Sequence, residues 1–314
     1  MQGSSGSRPL VAPSRASTSL VVPWRDRVFP YALNLPAILV LLALTAYPIV
    51  LSFWISLHRY ALRQPGVFRF VGLANYVHAF GSSEFRSALL TSVKFGGASV
   101  ALSVLLSLGF ALLLNEAVPG RGFMRALAVL PWAVPPIISA TLWKLIYDPN
   151  VGALSGLLVS LHLTESYVDW LVQPKLVLPA VVFAEVWTLM PLGTIILLAA
   201  LQAIPPDLYE AARVDRAGLW RRFRRITLPW LFRPLLIVMI IQTMHALQAF
   251  DIFYVLTSGG PGDLTTVLSW LTYETAFVTL DFGRGDAYAY VVMLLSLVLA
   301  LFYIRSLYRR GDVA

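Results

Sequence analysis

Six stretches of this 314-residue chain, near 30–57, 88–114, 124–147, 176–202, 231–257 and 286–307, are long and apolar enough to cross a bilayer. About 20 apolar residues suffice for one crossing. With 58% of residues hydrophobic and 13% charged, against roughly 25% charged in ordinary soluble domains, a single water-soluble core cannot hide so much apolar surface. The expectation is an all-α integral membrane protein with six transmembrane helices in one domain, residues 28–310. A membrane barrel would alternate strictly over segments of about ten residues, and that period is absent. Residues 1–27, rich in Ser, Pro and Arg, read as a disordered cytoplasmic tail.

Basic loops stay in the cytoplasm. With both termini inside, the inner segments hold 16 Lys and Arg and the outer segments seven, with Lys94 within a span. Four of those seven, Arg59, Arg63, Arg69 and Arg86, lie in the first outer segment and run against the trend. The net charge of +8 then describes cytoplasmic loops and contact with membrane lipid rather than nucleic-acid binding.

Enzyme chemistry finds little to use. The absence of Cys removes disulfides, thiolate nucleophiles and Cys-based metal sites. The four His are scattered, and G-x-x-x-x-G-K-[ST], G-x-S-x-G and H-E-x-x-H are all missing. No catalytic residue, metal or bound cofactor is expected, and Asp148, Asp169, Asp207 and Glu274 read as solvated loop carboxylates. Pro36, Pro48, Pro131, Pro135, Pro136 and Pro191 fall inside spans, where neighbouring helices can re-satisfy the freed carbonyls. The outer segment Gly152–Leu163 is too short to span and reads as an interfacial helix with a weak Gly152/Gly156 packing signal.

The inner loop from Ala203 to Pro229 carries more information. Pro205 and Pro206 stop the fourth span, and Asp207 with Glu210 has the spacing of a capping box, so a short helix is expected from about Leu208. Leu208, Ala211, Ala212 and Asp215 would share one face of it. Beyond Gly218, the run Trp220 to Ile226 interleaves aromatic and basic residues. Such a helix could anchor on anionic lipid or dock into a cytoplasmic partner, and the residues alone leave both open.

This loop resembles the E-A-A-x-x-D-G-A loop, followed by I-x-L-P, of the permeases of binding-protein-dependent ABC importers. Glu210, Ala211, Ala212, Asp215, Ala217, Phe223, Ile226, Leu228 and Pro229 are in register. The usual Gly is replaced by Arg216, and Gly218 is the candidate to take the turn in its place. AYPIVLSFWISL at 46–57, VGLANYVHAF at 71–80, the 130–155 segment and FDIFYVLTSGGPGDLTT at 250–266 are similar, in order, to the carbohydrate-uptake branch of maltose and glycerol-phosphate type.

The resemblance implies the type I importer permease fold and a location in the cytoplasmic (inner) membrane of a bacterium or archaeon. It implies half of a sugar pathway, completed by a second six-span permease. ATP and Mg would be used by a partner ATPase pair, and an extracytoplasmic sugar-binding protein would deliver the solute. Glu210, Ala211, Ala212, Asp215, Ala217 and Gly218 would couple to the ATPase. Trp187, Thr188, Leu192, Gln242, His245 and Ala246 occupy the segments that correspond to the sugar-contacting cavity, while Trp187 could equally pack between helices and His245 bond a neighbouring one. By residue count, Lys94, Glu185 and Asp251 fall in the outer half of the membrane as a polar layer, with Lys94 placed to pair with Glu185 or to snorkel outward. The competing readings are an ion-coupled secondary carrier or channel, and the same importer type carrying a non-sugar solute such as a polyamine.

Overall fold

The computed structural model describes residues 24–63, 66–116 and 119–309, and most of the expected N-terminal tail lies outside them. The chain divides into two compact units, Met1–Leu51 and Ser52–Ala314. The first contains α1 (Trp24–Leu41), a π-helical turn (Leu42–Ala46) and the start of α2 (Tyr47–Ser56). Pro48 has no N–H to offer the carbonyl of Leu44, four residues earlier, which is where a helix widens into a π-turn. No part of the most apolar window of Leu33–Ser56 is buried.

The second unit begins with a hairpin, β1 (His58–Tyr60) and β2 (Phe68–Phe70), and continues through α3 (Ala74–Gly81), α4 (Ser83–Asn115), α5 (Arg121–Ala133), α6 (Pro136–Ile146) and α7 (Ala153–Ser160). It is followed by α8 (Val177–Gln202), α9 (Pro206–Val214), α10 (Leu219–Arg222), a π-turn (Phe223–Thr227) and α11 (Leu228–Leu247). The chain closes with α12 (Asp251–Leu256), α13 (Leu268–Tyr273), a third π-turn (Glu274–Val278) and α14 (Phe282–Arg309). Among the described residues, five helical segments are long and apolar enough to cross a membrane, and the count reaches six if the bent pair α5–α6 is taken as one span.

The structure departs from the sequence expectations in three places. The third apolar stretch is not one helix, because α5 and α6 meet at 100°. Pro135 and Pro136 cause the break: neither donates to the helix, and Pro136 forces the residue before it into an extended conformation, with ψ of 141° at Pro135. The fifth stretch ends at Leu247, not 257, and turns into α12. Phe250 holds this turn, its ring 4.9 Å from that of Tyr273 and 6.2 Å from that of Trp270. The first outer segment is not all-helical, since it folds into the antiparallel hairpin, with His58 stacked on Phe68 at 4.3 Å. Asn75 pins β1 by donating to the carbonyls of Ser56 (2.8 Å) and His58 (2.9 Å). Arg59, Arg63 and Arg69 belong to this hairpin and its turn, which accounts for most of the basic charge that ran against the orientation count.

The core centres on α8, which packs against α4, α5 and α11. On α4, Ser99, Ser103, Ser107 and Ala111 recur every fourth residue and are fully buried, so one face of that helix is a strip of small side chains that lets α8 approach closely. Ser107 Oγ donates to the Met190 carbonyl at 2.8 Å, and Thr194 Oγ1 donates to the same oxygen at 3.0 Å, beside Pro191. Two residues on, a Cβ added to Gly193 would lie 2.4 Å from Ser107 Oγ and 2.7 Å from Gln242 Nε2. The helices α4, α8 and α11 therefore meet where no side chain larger than hydrogen fits on α8.

Gly193→Ala is expected to overpack this junction at a cost of about 1–3 kcal/mol, lowering the temperature at which the detergent-purified protein aggregates. Adding Ser107→Gly should restore most of the loss. Unchanged stability in the single variant would show that the three helices are not in contact there.

Candidate functional site

Two features stand out, one at each end of the α8–α11 pair. The first is the loop between these helices. Its helix α9 begins at Pro206, not at Leu208, and no side chain caps it. Proline at the first helical position loses nothing, because that N–H has no partner in the helix. Asp207 sits in the first turn instead of capping it, where its charge suits the positive end of the helix dipole.

The inward side of α9 carries Tyr209 and Ala212, both half-buried. Tyr209 packs against the cluster that includes Leu201, Ile204 and Leu231, and its hydroxyl pairs with Thr227 at 2.9 Å. This fixes α9 to the base of α8 and α11. Glu210, Ala211 and Asp215 face outward, so the expected face of Leu208, Ala211, Ala212 and Asp215 is split between interior and surface. Around them Val214 is 83% exposed, Leu219 79% and Trp220 71%, a concentration of apolar surface on a loop that also carries Arg221, Arg224 and Arg225, all exposed. Ala217 is half-buried. Between the loop and the ends of α4 and α8 lies a cavity of about 560 Å³, lined among others by Asn115, Gln202, Glu210, Arg213 and Arg222.

The turn after α9 is made by Arg216, with φ of +54°. Gly218, the expected turn residue, has an ordinary φ of −64°. An L-residue in the left-handed region is strained by roughly 1–2 kcal/mol.

The second feature is a cavity of about 210 Å³ where α6, α8, the end of α11 and the start of α12 converge. Its polar lining is Ser139, Glu185, Thr188, His245, Gln248 and Asp251, with Phe250 as an aromatic wall. Ser139 and Thr188 share a hydrogen bond at 3.0 Å. Of the expected pathway residues, Thr188 and His245 line this cavity, and so do Glu185 and Asp251 of the expected polar layer. Sequence reasoning missed Ser139 as a site residue, and the only signal was a hydroxyl shortly after the Pro135–Pro136 break.

The other expected residues lie elsewhere. Gln242 is 2% exposed at the Gly193 junction, and neither of its amide atoms has a hydrogen-bond partner. Ala246 is buried, Leu192 is half-buried outside the lining, and Trp187 packs edge-on to Trp143 at 5.9 Å. Lys94 is exposed on α4 and forms no ion pair with Glu185.

Two of the loop carboxylates are structural. Asp148 accepts from the backbone N–H groups of Asn150 (2.8 Å) and Val151 (3.0 Å), and these bonds hold its carboxyl below the usual range. Glu274 is half-buried, and burial raises its carboxyl, helped by the charges of Glu84 and Asp263 and opposed by a bond from Trp270. Gly152 serves the turn at Asp148, not helix packing, since an added Cβ would lie 2.3 Å from the Asp148 carbonyl.

Long apolar helices, a polar cavity among them and a folded loop presenting apolar side chains define a membrane permease. Residues 103–311 match the family described as the binding-protein-dependent transport system inner membrane component. Over 283 residues the chain is 42% identical to the trehalose/maltose transport system permease protein MalF of Thermococcus litoralis, covering 90% of this chain and 94% of the relative. It superposes with a TM-score of 0.78 and 26% identity on a chain of a bacterial ABC transporter that imports the acidic polysaccharide alginate, covering 92% of this chain and 99% of the other. A second structure, of a bacterial alginate ABC transporter in complex with an alginate pentasaccharide-bound periplasmic protein, gives 0.76 and 25% identity over 89% and 94% of the two chains. This chain belongs to the inner-membrane components of binding-protein-dependent transport systems, in the carbohydrate ABC permease group.

If Arg216 makes the turn, Arg216→Gly should slow amide exchange across 206–218 by the equivalent of roughly 1 kcal/mol, and Gly218→Ala should leave it unchanged. The opposite ranking, read by hydrogen–deuterium exchange, would place the turn at Gly218.

Proposed function

We propose that this chain forms half of the pathway of an ATP-driven importer for a sugar or sugar derivative, working by alternating access between the two sides of the inner membrane. In this reading six crossings, counting the bent α5–α6 pair as one, leave both termini on the same side, and the excess of Lys and Arg in the inner segments assigns that side and the α9–α10 loop to the cytoplasm and the β1–β2 hairpin to the outside. The observation that carries this reading is the loop itself. It is fixed to α8 and α11 by Tyr209 and Thr227, and it presents Val214, Leu219 and Trp220 to the surface. Apolar side chains so exposed are suited to docking in a partner. Ala211 and Asp215 are exposed on the same loop, as is Gly218, and Glu210 is exposed at the cavity between the loop and the ends of α4 and α8.

The partner in this reading is one member of an ATPase pair, which holds ATP and Mg. A second permease of the same kind completes the pathway, and an extracytoplasmic binding protein delivers the solute. No catalytic step falls to this chain. Because the docked loop is continuous with the helices that wall the polar cavity, movement of the ATPases tilts those helices and changes which side the cavity faces. Thr188 and His245 line that cavity directly, so they are the expected pathway residues best placed to meet the solute.

The test is co-purification of the tagged chain, expressed with its native operon, as wild type and as Glu210→Lys. The wild type should bring an ATPase and a second permease, and the variant should lose the ATPase while keeping the permease. A chain that purifies alone, with uptake surviving ATP depletion and collapsing with the ion gradient, would identify a secondary carrier.

A further inference from the structure

The cavity at the α6–α8–α11–α12 junction has an uneven charge balance. Two carboxylates, Glu185 and Asp251, line it, and neither Lys nor Arg does. The two act on each other electrostatically. Among the described residues, neither cavity carboxylate forms an ion pair with a Lys or Arg. Lys144 on α6 donates to the Val255 carbonyl at 2.9 Å and does not line the cavity. His245 is the single lining group able to carry positive charge. Two carboxylates against one imidazole leave the wall with more acidic than basic groups.

The rest of the lining is neutral and hydrogen-bonding: the Ser139–Thr188 hydroxyl pair and the Gln248 amide, beside the Phe250 ring. Ionised carboxylates only accept hydrogen bonds, and a solute covered in hydroxyls supplies donors without adding charge. A volume of about 210 Å³ is smaller than the roughly 300–1,000 Å³ of sites that enclose a whole ligand. This cavity therefore contacts one part of a solute at a time, as a constriction does.

We propose that Glu185 and Asp251 make this cavity an anion-excluding constriction, so that the importer passes neutral, hydroxyl-rich solutes and rejects uronates and sugar phosphates. This rests on the importer reading above and narrows its substrate class. Glu185 and Asp251 are then specificity-determining residues, and the paired hydroxyls and Gln248 are the neutral contacts.

The chain has no cysteine, so a single Gln248→Cys reports on the cavity alone, with His245→Cys as a second position should the first fail to assemble. In membrane vesicles holding the full transporter, the thiol is treated with cationic or anionic methanethiosulfonate reagents of similar size, and modification of this chain is read by mass. Relative to a free thiol in solution, the cationic reagent should react at least about tenfold faster, a local potential worth about 1.4 kcal/mol. Glu185→Gln with Asp251→Asn should bring the ratio close to one. Equal rates in the wild-type background, or a ratio that survives the double change, would overturn the proposal.

Protection completes the test. Maltose should slow labelling, and galacturonate at the same concentration should not. Protection by galacturonate, protection by putrescine in preference to maltose, or protection by none of the three would overturn the neutral-solute assignment. The labelling ratio reads the cavity's charge without reference to ATP coupling. A negative cavity in a chain that recruits no ATPase would defeat the importer reading and leave the charge assignment standing.

Discussion

The contact at Gly193 is the constraint on which the rest of the structure depends. Membrane helices gain little hydrophobic energy from associating with one another, because lipid is as apolar as leucine. They are held by close packing and by hydrogen bonds between helices. Here both occur within one turn of α8: Gly193 admits Ser107 and Gln242 to within 3 Å of where a Cβ would stand, and the Met190 carbonyl accepts two hydroxyls beside Pro191. The buried serines at positions 99, 103 and 107 extend the same seam along α4.

That seam lies between the two functional features. Toward the cytoplasmic end in the proposed orientation, Tyr209 packs on the cluster of Ala111, Leu114, Leu201 and Leu231 and ties α9 to α11. Toward the other end, α8 and α11 contribute Glu185, Thr188 and His245 to the polar cavity. In the proposed mechanism this closely packed triple of helices moves as a body, so that a displacement imposed on the loop is passed to the cavity wall. Gln242 pays for this arrangement with an amide that finds no partner at the junction, which marks it as a packing element in this conformation.

Much of the fold was legible because the signals are strong over long windows. Four of the six stretches, around 30–57, 88–114, 176–202 and 286–307, emerge as helices with ends shifted by a few residues. The two that departed did so at local chemistry that hydropathy averages away: the Pro135–Pro136 pair broke one, and the aromatic packing of Phe250 ended the other. The loop was recognisable from Glu210, Ala211, Ala212 and Asp215, yet the turn fell on Arg216, an exposed arginine in a conformation that sequence rules reserve for glycine, where the backbone N–H groups of Arg216 and Ala217 close the helix end on the carbonyls of Arg213 and Ala212. In the cavity, Thr188 and His245 were foreseen, while Gln242 sits at the Gly193 junction and Ala246 in the apolar cluster around Phe95 and Phe253. A one-residue difference in spacing rotates a helical side chain by 100°, and sequence alone does not fix that phase. Ser139 was invisible for another reason: it reaches Thr188 only because α6 turns away from α5.

The central claim is that α8 and α11, with the loop they carry, move as one body. It is tested most directly by the distance between spin labels at Leu208→Cys and Gln248→Cys in the assembled transporter, measured by pulsed electron resonance with and without ATP. A rigid body predicts distributions that agree to within about 2 Å, the scale of small helix shifts, while the labelling rate of Gln248→Cys changes between the two states. A change of a full helical turn, about 5 Å, in the distance within this chain would show that the loop moves independently of the cavity and would contradict the account.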